Sequence, residues 1–136
     1  MAKSLRYNSN KIEIMGISPI FLIELMRHTT YGRIKYPDND NKPNWSFGQK
    51  KSTLINAVFR HLMAYLCGQI WDTDIKDSMH LTAAAWNLMV LIHQDVLKDQ
   101  YKEFDDLWCK AEFDPLLDLA TVNDLMIKNY GKANEQ

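Results

Sequence analysis

The chain has 136 residues, of which 46% are apolar and 24% charged, and its net charge is −1. This length suits one domain over residues 1–136, and the composition excludes a disordered or fibrous protein. The longest uncharged run, residues 79–94, is too short and too polar to span a bilayer, so we expect no membrane partner. The first ten residues lack a secretory apolar stretch and the two cysteines form no paired motif, so a cytoplasmic location is expected.

Charge is unevenly distributed along the chain. Residues 1–51 hold nine Lys and Arg against four Asp and Glu, whereas residues 52–136 hold seven against thirteen. A basic first half could meet phosphates, but an acidic second half would repel a long nucleic acid. The alternative is that the two halves pack together and their charges cancel. In either case no long nucleic acid is expected as a partner.

Helical spacing of the apolar residues predicts an all-α fold, a small bundle of about four main helices with short C-terminal helices. Ser18-Pro19 is typical of a helix start, Ser52 is the next candidate cap, and Gly68 stands where a glycine often ends a helix. The third helix is apolar nearly all round and should be the most buried. The main helices are predicted at about residues 19–30, from 52 to Gly68, 79–97 and 101–112, and the short ones start near residues 114 and 121.

A long ordered loop is predicted over residues 31–51, which hold two glycines, two prolines and an Asp/Asn cluster. Its cations include Arg33 and Lys35, which could grip phosphates. Its aromatic residues Tyr36 and Trp45 could stack on a base. The alternative is a solvated basic loop whose aromatic side chains pack on the core.

Polar residues interrupt the apolar faces of the second and third helices. His61, with Arg60 beside it, lies on one stripe of the second helix, and His80 and Asn87 share a stripe of the third. Burying such groups without hydrogen bonds costs about 1–3 kcal/mol each. They therefore indicate either a catalytic site between the helices or a buried network that fixes helix register.

Three carboxylates, Asp72, Asp74 and Asp77, lie between these two helices. Carboxylate oxygens at such a spacing could hold a hard divalent cation. The alternative is helix capping, since Asp77 or Ser78 would serve as an N-cap.

Three segments carry a compound pattern, approximately YGxxKY…NW, RH…GE…D and H…AxxN. They are YGRIKYPDNDNKPNW, AVFRHLMAYLCGQIWD and HLTAAAWNLMVLI, at residues 31–45, 57–72 and 80–92. This pattern resembles the mostly phage-encoded dATP/dGTP diphosphohydrolases of the MazZ type, which are similar to the all-α, MazG-like nucleotide pyrophosphohydrolases. The resemblance covers about residues 31–92.

The resemblance implies hydrolysis of a purine (deoxy)nucleoside triphosphate to monophosphate and pyrophosphate, with Mg²⁺ or Mn²⁺. The chain departs from the pattern at Gln69, where the family usually has Glu, and it lacks the EExxE motif of MazG-like enzymes. The positions that match are Tyr31, Gly32, Lys35, Tyr36, Asn44, Trp45, Arg60, His61, Gly68, Asp72, His80 and Asn87.

From the residues and the resemblance together we assign three expected roles. Catalytic residues are His61, His80, Arg60 and Asn87; substrate-binding residues are Arg33, Lys35, Tyr36, Asn44 and Trp45; metal ligands are Asp72, Asp77 and Asp74. The expected partners are a purine nucleotide and further copies of the chain in a homo-oligomer, in the host cytoplasm if a phage encodes it. Two alternatives remain: a non-catalytic protein that binds or sequesters a nucleotide, and a helical adaptor that binds a host protein.

Overall fold

The computed structural model describes residues 13–75 and 77–108, together with Asp124, Ile127 and Lys128. Its helices are α1 (Pro19–Lys35), α2 (Lys51–Leu66), α3 (His80–Val96) and α4 (Lys98–Tyr101), with short 3-10 helices at Asn44–Phe47 and Lys102–Phe104. The described residues contain isolated β-bridges but no strand. The expected all-α bundle is confirmed.

The chain divides into two compact units, Met1–Asp106 and Leu107–Gln136. All the named helices lie in the first unit. The helices predicted from residues 114 and 121 fall largely outside the described residues, so the single domain over residues 1–136 stays a prediction. Among the described helices, none combines the length and the apolar character that crossing a membrane requires.

α1 begins as predicted, because the Ser18 Oγ accepts a hydrogen bond from the Phe21 N–H at 3.3 Å. It continues to Lys35, however, so the assignment of residues 31–35 to the loop is wrong. Basic side chains in its last turn favour this extension, since positive charge stabilises the C-terminal end of a helix. Pro37 sets the end, because the residue before a proline is disfavoured in helical conformation.

Residues 36–50 form the rest of the predicted ordered loop. Asp40 and Asn41 turn the chain in left-handed conformations, with φ of 49° and 60°, which these short polar residues tolerate. The Asn39 N–H donates to the Lys42 carbonyl at 3.0 Å and closes this turn. The 3-10 helix Asn44–Phe47 follows it.

Two side chains from later in the chain attach this loop to the bundle. Gln94, 1% exposed on α3, accepts from the Gln49 N–H at 2.8 Å and donates to the Gln49 carbonyl at 3.0 Å. The Tyr101 hydroxyl donates to the Ser46 carbonyl at 2.7 Å. Both contacts act on the loop backbone, so they fix its path whatever its side chains do.

The core lies mainly between α2 and α3, and α1 packs on α3. Its buried apolar side chains are Leu54, Val58, Ala83, Ala84 and Val90. α3 also buries four polar side chains, His80, Thr82, Asn87 and Gln94. As predicted, α3 is the most buried helix of the described part.

The start of α2 is capped from a distance. The Asp106 carboxylate accepts hydrogen bonds from the N–H and the hydroxyl of Ser52, which lower the pKa of Asp106. The Lys51 Nζ lies 2.6 Å from an Asp95 oxygen and 3.8 Å from an Asp105 oxygen. From the sequence we expected Ser52 to cap this helix, whereas the structure uses the carboxylate of Asp106, which lies far along the chain.

The prediction of a fourth helix over residues 101–112 is wrong for the part of this range that the structure describes. α4 ends at Tyr101, where the predicted helix begins, and residues 105–108 are not helical. Tertiary contacts explain the difference, because residues 105 and 106 are held at the start of α2. The Phe104 ring also approaches Gly48 so closely that a Cβ there would lie 2.1 Å from it, and Gly48 has a φ of 101°.

Replacing Gln94 with Leu should destabilise the protein, because the backbone groups of Gln49 lose both partners while side-chain volume changes little. A buried polar group left unpaired costs about 1–3 kcal/mol, so we expect the free energy of unfolding in urea to fall by about 2 kcal/mol. Gln100→Leu is the matched control, since Gln100 is exposed on α4. Equal stability of the two variants would contradict the proposed attachment.

Candidate functional site

Two histidines and an aspartate from separate segments meet in one place. His61 comes from α2, His80 is the first residue of α3, and Asp72 lies in the connection between them. One ligand atom from each side chain lies within 4.8 Å of the other two, and the two Nδ1 atoms are 3.0 Å apart. We call these three residues the histidine–aspartate cluster; within the described residues it is the group suited to holding a metal ion.

The connection between α2 and α3 folds back on itself and brings Asp72 beside His80. The Asp72 N–H donates to the Ser78 carbonyl at 2.8 Å, and the His80 N–H donates to the Ile70 carbonyl at 2.9 Å. Gly68, with a φ of 90°, lets the chain leave α2 in the left-handed conformation expected of a glycine there. Backbone hydrogen bonds therefore set the place of the carboxylate.

Burial controls the charge state of His61. It lowers the pKa of the imidazole; the Asp72 carboxylate opposes this shift, whereas His80 and Arg60 add to it. At neutral pH the ring is therefore neutral, the form that ligates metal ions. His80 is 6% exposed and its Nε2 has no hydrogen-bond partner in the described structure. The cluster thus contains a buried imidazole nitrogen that no group of the described residues bonds.

A cavity of about 420 Å³ lies between α1, the loop and α3. Its volume is in the range typical of small-molecule sites, roughly 300–1,000 Å³. All five residues expected to bind substrate line it: Arg33, Lys35, Tyr36, Asn44 and Trp45. Their convergence supports the interpretation of this region as a nucleotide site.

The Trp45 indole is held as a rigid wall of the cavity. Its ring meets the His93 ring edge-on, with centroids 5.0 Å apart and planes at 89°. The His93 Nε2 lies 3.3 Å from the Tyr101 hydroxyl, which itself donates to the loop carbonyl of Ser46. A flat ring fixed in this way is suited to stacking on a base.

The two basic side chains that line the cavity, Arg33 and Lys35, differ in their contacts within the protein. Arg33 forms a two-point ion pair with Asp38, which lowers the pKa of the Asp38 carboxyl. The Lys35 ammonium lies 5.4 Å from the centre of the Tyr36 ring, and no described carboxylate lies within ion-pair distance of it. Lys35 is therefore the more readily available of the two for an anionic ligand.

His28 connects the cavity to the cluster. It lines the cavity, its ring packs on Trp86 at 5.6 Å, and its Nδ1 lies 2.6 Å from the Oγ of buried Ser78. Burial lowers the pKa of His28; the field of His61 adds to this and that of Asp72 opposes it. The imidazole is therefore neutral at neutral pH, and it lies within the electrostatic influence of His61 and Asp72.

Four expected site residues lie apart from this arrangement. Arg60 is exposed on α2, and the buried Asn87 donates to the Ala83 carbonyl of its own helix at 2.8 Å. Asp74 and Asp77 are exposed beside a smaller recess, where the Tyr31 hydroxyl donates to Asp77 at 2.9 Å. The structure thus brings Asp72 to the histidines and leaves the other two carboxylates outside.

Five residues that line the cavity were not predicted from the sequence: His28, Thr29, Gln49, Ile75 and Trp86. A signal existed for His28, because it precedes the YGxxKY segment by three residues and would share a helix with its start. None existed for Gln49, whose position depends on the distant Gln94. Trp86 reads from sequence as a core residue of the most buried helix.

A family model described as "dATP/dGTP diphosphohydrolase, N-terminal" matches residues 1–106, the extent of the first compact unit. Searches among curated proteins and among solved structures found no match. The match reaches beyond residues 31–92, to which the resemblance was assigned, and covers well over half of the chain. The chain therefore belongs to the dATP/dGTP diphosphohydrolase family, whose N-terminal region corresponds to residues 1–106.

Proposed function

We propose that the protein hydrolyses a purine deoxynucleoside triphosphate to the monophosphate and pyrophosphate, using a divalent metal ion. The observation that carries this proposal is the histidine–aspartate cluster, which is linked through Ser78 and His28 to a cavity lined by aromatic rings and cations. Membership of the family supports dATP and dGTP as the substrate class.

The substrate would occupy the cavity with its base against Trp45 and its phosphates toward α1. The fixed indole supplies a stacking surface, and Tyr36 lies along the same cavity. Lys35 and Arg33 would neutralise phosphate charge, Arg33 after exchanging its partner Asp38 for the ligand. This orientation directs the phosphate chain past His28 toward the cluster.

The proposed reaction breaks the bond between the α-phosphorus and the oxygen that bridges to the β-phosphate. Water supplies the new oxygen on the α-phosphorus, and pyrophosphate leaves with the electron pair of the broken bond. A divalent ion at the cluster would supply Lewis-acid stabilisation of the phosphate charge. His61, Asp72 and His80 would hold the ion, and Arg60, near His61, would add positive potential.

These assignments differ from those made from the sequence, which placed His61 and His80 among the catalytic residues rather than among the metal ligands. Because both imidazoles lie with Asp72, their nitrogens are suited to ligating the ion. His28 would then take the proton from the attacking water, with Ser78 orienting its ring through the 2.6 Å contact. Asp74 and Asp77 remain candidate ligands from the sequence, but their exposure and the Tyr31 contact favour Asp72.

Incubation of the protein with dATP and dGTP and with Mg²⁺ or Mn²⁺ should give monophosphate and pyrophosphate, which chromatography separates. Asp72→Asn should lower kcat at least about 100-fold because a metal ligand is lost. Asp99→Asn, an exposed carboxylate on α4, is the matched control. Asp77→Asn distinguishes the two candidate ligand sets: a loss as large as that of Asp72→Asn would favour the set predicted from sequence.

Replacing His28 with Gln should lower kcat about 10²–10⁴-fold, since a general base contributes that much. Nucleotide binding, measured by calorimetry, should change little, because the substitution leaves the stacking wall and the cations in place. A fall in affinity with kcat unchanged would instead assign His28 to substrate binding.

Lys35→Ala should raise KM roughly 10- to 150-fold, since a hydrogen bond to a charged group contributes about 1.5–3 kcal/mol. Thermal stability should be nearly unchanged because Lys35 is exposed. Lys42→Ala is the control, since Lys42 is an exposed cation of the loop after α1 and does not line the cavity. Equal KM values for the two variants would remove Lys35 from the phosphate site.

The same assays test the non-catalytic alternative. Tight nucleotide binding without product would support a protein that sequesters nucleotides, whereas neither binding nor turnover would leave the helical adaptor. The homo-oligomer also stays a prediction; large apolar side chains are exposed on α1 and α2, including Ile20, Met26, Phe59 and Met63.

A further inference from the structure

The backbone of Gln49 is held from two sides, at the point where the loop enters α2. Its N–H and its carbonyl are both bonded to the side chain of Gln94, at 2.8 and 3.0 Å, and Gln94 is 1% exposed on α3. The preceding residue, Gly48, lies so close to the Phe104 ring that a Cβ there would be 2.1 Å from it. Because both backbone polar groups face Gln94, the side chain is the part of Gln49 that can present polar groups to the cavity.

The side-chain amide of Gln49 is available to a ligand. The residue is half-buried and lines the cavity, and no described residue forms a hydrogen bond with its Oε1 or Nε2. An amide offers both an acceptor oxygen and two donor hydrogens. A few polar groups placed in this way within a largely apolar cavity are what fixes the orientation of a bound small molecule.

Gln49 also lies beside the proposed stacking surface for the base. The Trp45 ring packs on His93, with centroids 5.0 Å apart, and Gln49 is bonded to Gln94, the next residue of α3. The Gly48 N–H donates to the Trp45 carbonyl at 3.2 Å, so the chain turns back between the two residues. A base stacked on a flat indole directs its edges sideways, in the plane of the base. A side chain anchored next to the indole is therefore placed to reach such an edge.

We infer that the Gln49 amide recognises the Watson–Crick edge of the purine base, and that it accepts both adenine and guanine by rotating about its last bond. With adenine, Oε1 accepts a hydrogen bond from the 6-amino group and Nε2 donates to N1. With guanine the amide turns over, so that Nε2 donates to the 6-oxo group and Oε1 accepts from the N1–H. No described residue fixes the amide in either orientation. This property suits a family described by both dATP and dGTP.

Gln49→Glu tests the rotating amide, because a carboxylate has nearly the same shape but only accepts hydrogen bonds. It can accept from the N1–H and the 2-amino group of guanine, whereas one of its oxygens would oppose the lone pair on N1 of adenine. The added negative charge weakens the binding of any triphosphate, so the ratio of the two affinities is the quantity to measure. We expect this ratio to shift toward guanine by roughly 5- to 150-fold, the discrimination that a two-point contact with a base provides.

The inference rests on the proposed function for the identity of the ligand, but its test needs no turnover. Calorimetry with the full chain gives the dissociation constants of the α,β-methylene analogues of dATP and dGTP in the presence of Mg²⁺. In these analogues carbon replaces the bridging oxygen that the proposed reaction would release. Gln100→Glu, the same substitution at an exposed residue of α4, is the control and should keep the wild-type ratio. An unchanged ratio in Gln49→Glu, or a shift toward adenine, would overturn the inference.

Gln49→Leu keeps the inference testable if circular dichroism melting shows that the Glu variant does not fold. This variant retains the backbone hydrogen bonds to Gln94 but offers no polar group to either base. Both analogues should then bind at least about fivefold more weakly, because two hydrogen bonds to the base are lost. Unchanged affinity for both analogues would overturn the inference.

Base recognition and hydrolysis can fail separately. A shifted ratio in Gln49→Glu, with no product from dATP or dGTP in the wild type, would retain the role of Gln49 and reject the proposed function. Product from both nucleotides, with the wild-type affinity ratio kept in Gln49→Glu, would retain the function and reject the role of Gln49. Failure of the wild type to bind either analogue would overturn both.

Discussion

The candidate site depends on one short antiparallel β-bridge, which pairs Trp71 with Met79 in the connection from α2 to α3. The Asp72 N–H and the His80 N–H each find a carbonyl across this bridge, at 2.8 and 2.9 Å. Without these two hydrogen bonds, nothing in the backbone would hold the Asp72 carboxylate beside the imidazoles of His61 and His80. The same bridge presents Ser78, whose hydroxyl reaches His28 on α1. One backbone feature thus positions groups from three segments.

α3 extends this control from the cluster to the cavity. Its first residue, His80, belongs to the cluster, and its later residues His93 and Gln94 support the loop that carries Trp45. Polar side chains that interrupt the apolar face of a helix are costly unless they are paired. Gln94 bonds the loop backbone, Asn87 bonds the helix backbone and His80 contacts the second imidazole, so α3 contributes to both parts of the site.

The sequence was sufficient to predict features that depend on local chemistry. The cap at Ser18, the glycine after α2 and the burial of α3 follow from short-range preferences, and the structure has all three. The five residues expected to bind substrate all line the cavity because they lie within one short segment, residues 33–45, so any compact fold keeps them close to one another. Features that depend on distant partners were missed, such as the capping of α2 by Asp106 and the support of Gln49 by Gln94.

The three aspartates show why spacing in the sequence could not tell which carboxylate lies beside the histidines. Asp72, Asp74 and Asp77 are equivalent in sequence as a carboxylate cluster, and the two later ones precede a helix, where acidic residues also serve as caps. The fold separates them: the bridge turns Asp72 toward the histidines, while Asp77 meets Tyr31 and the Asp74 N–H donates to Asp72. The resulting donor set is richer in nitrogen than the sequence pattern indicated. The fold of the connection therefore decides how many carboxylates reach the imidazoles.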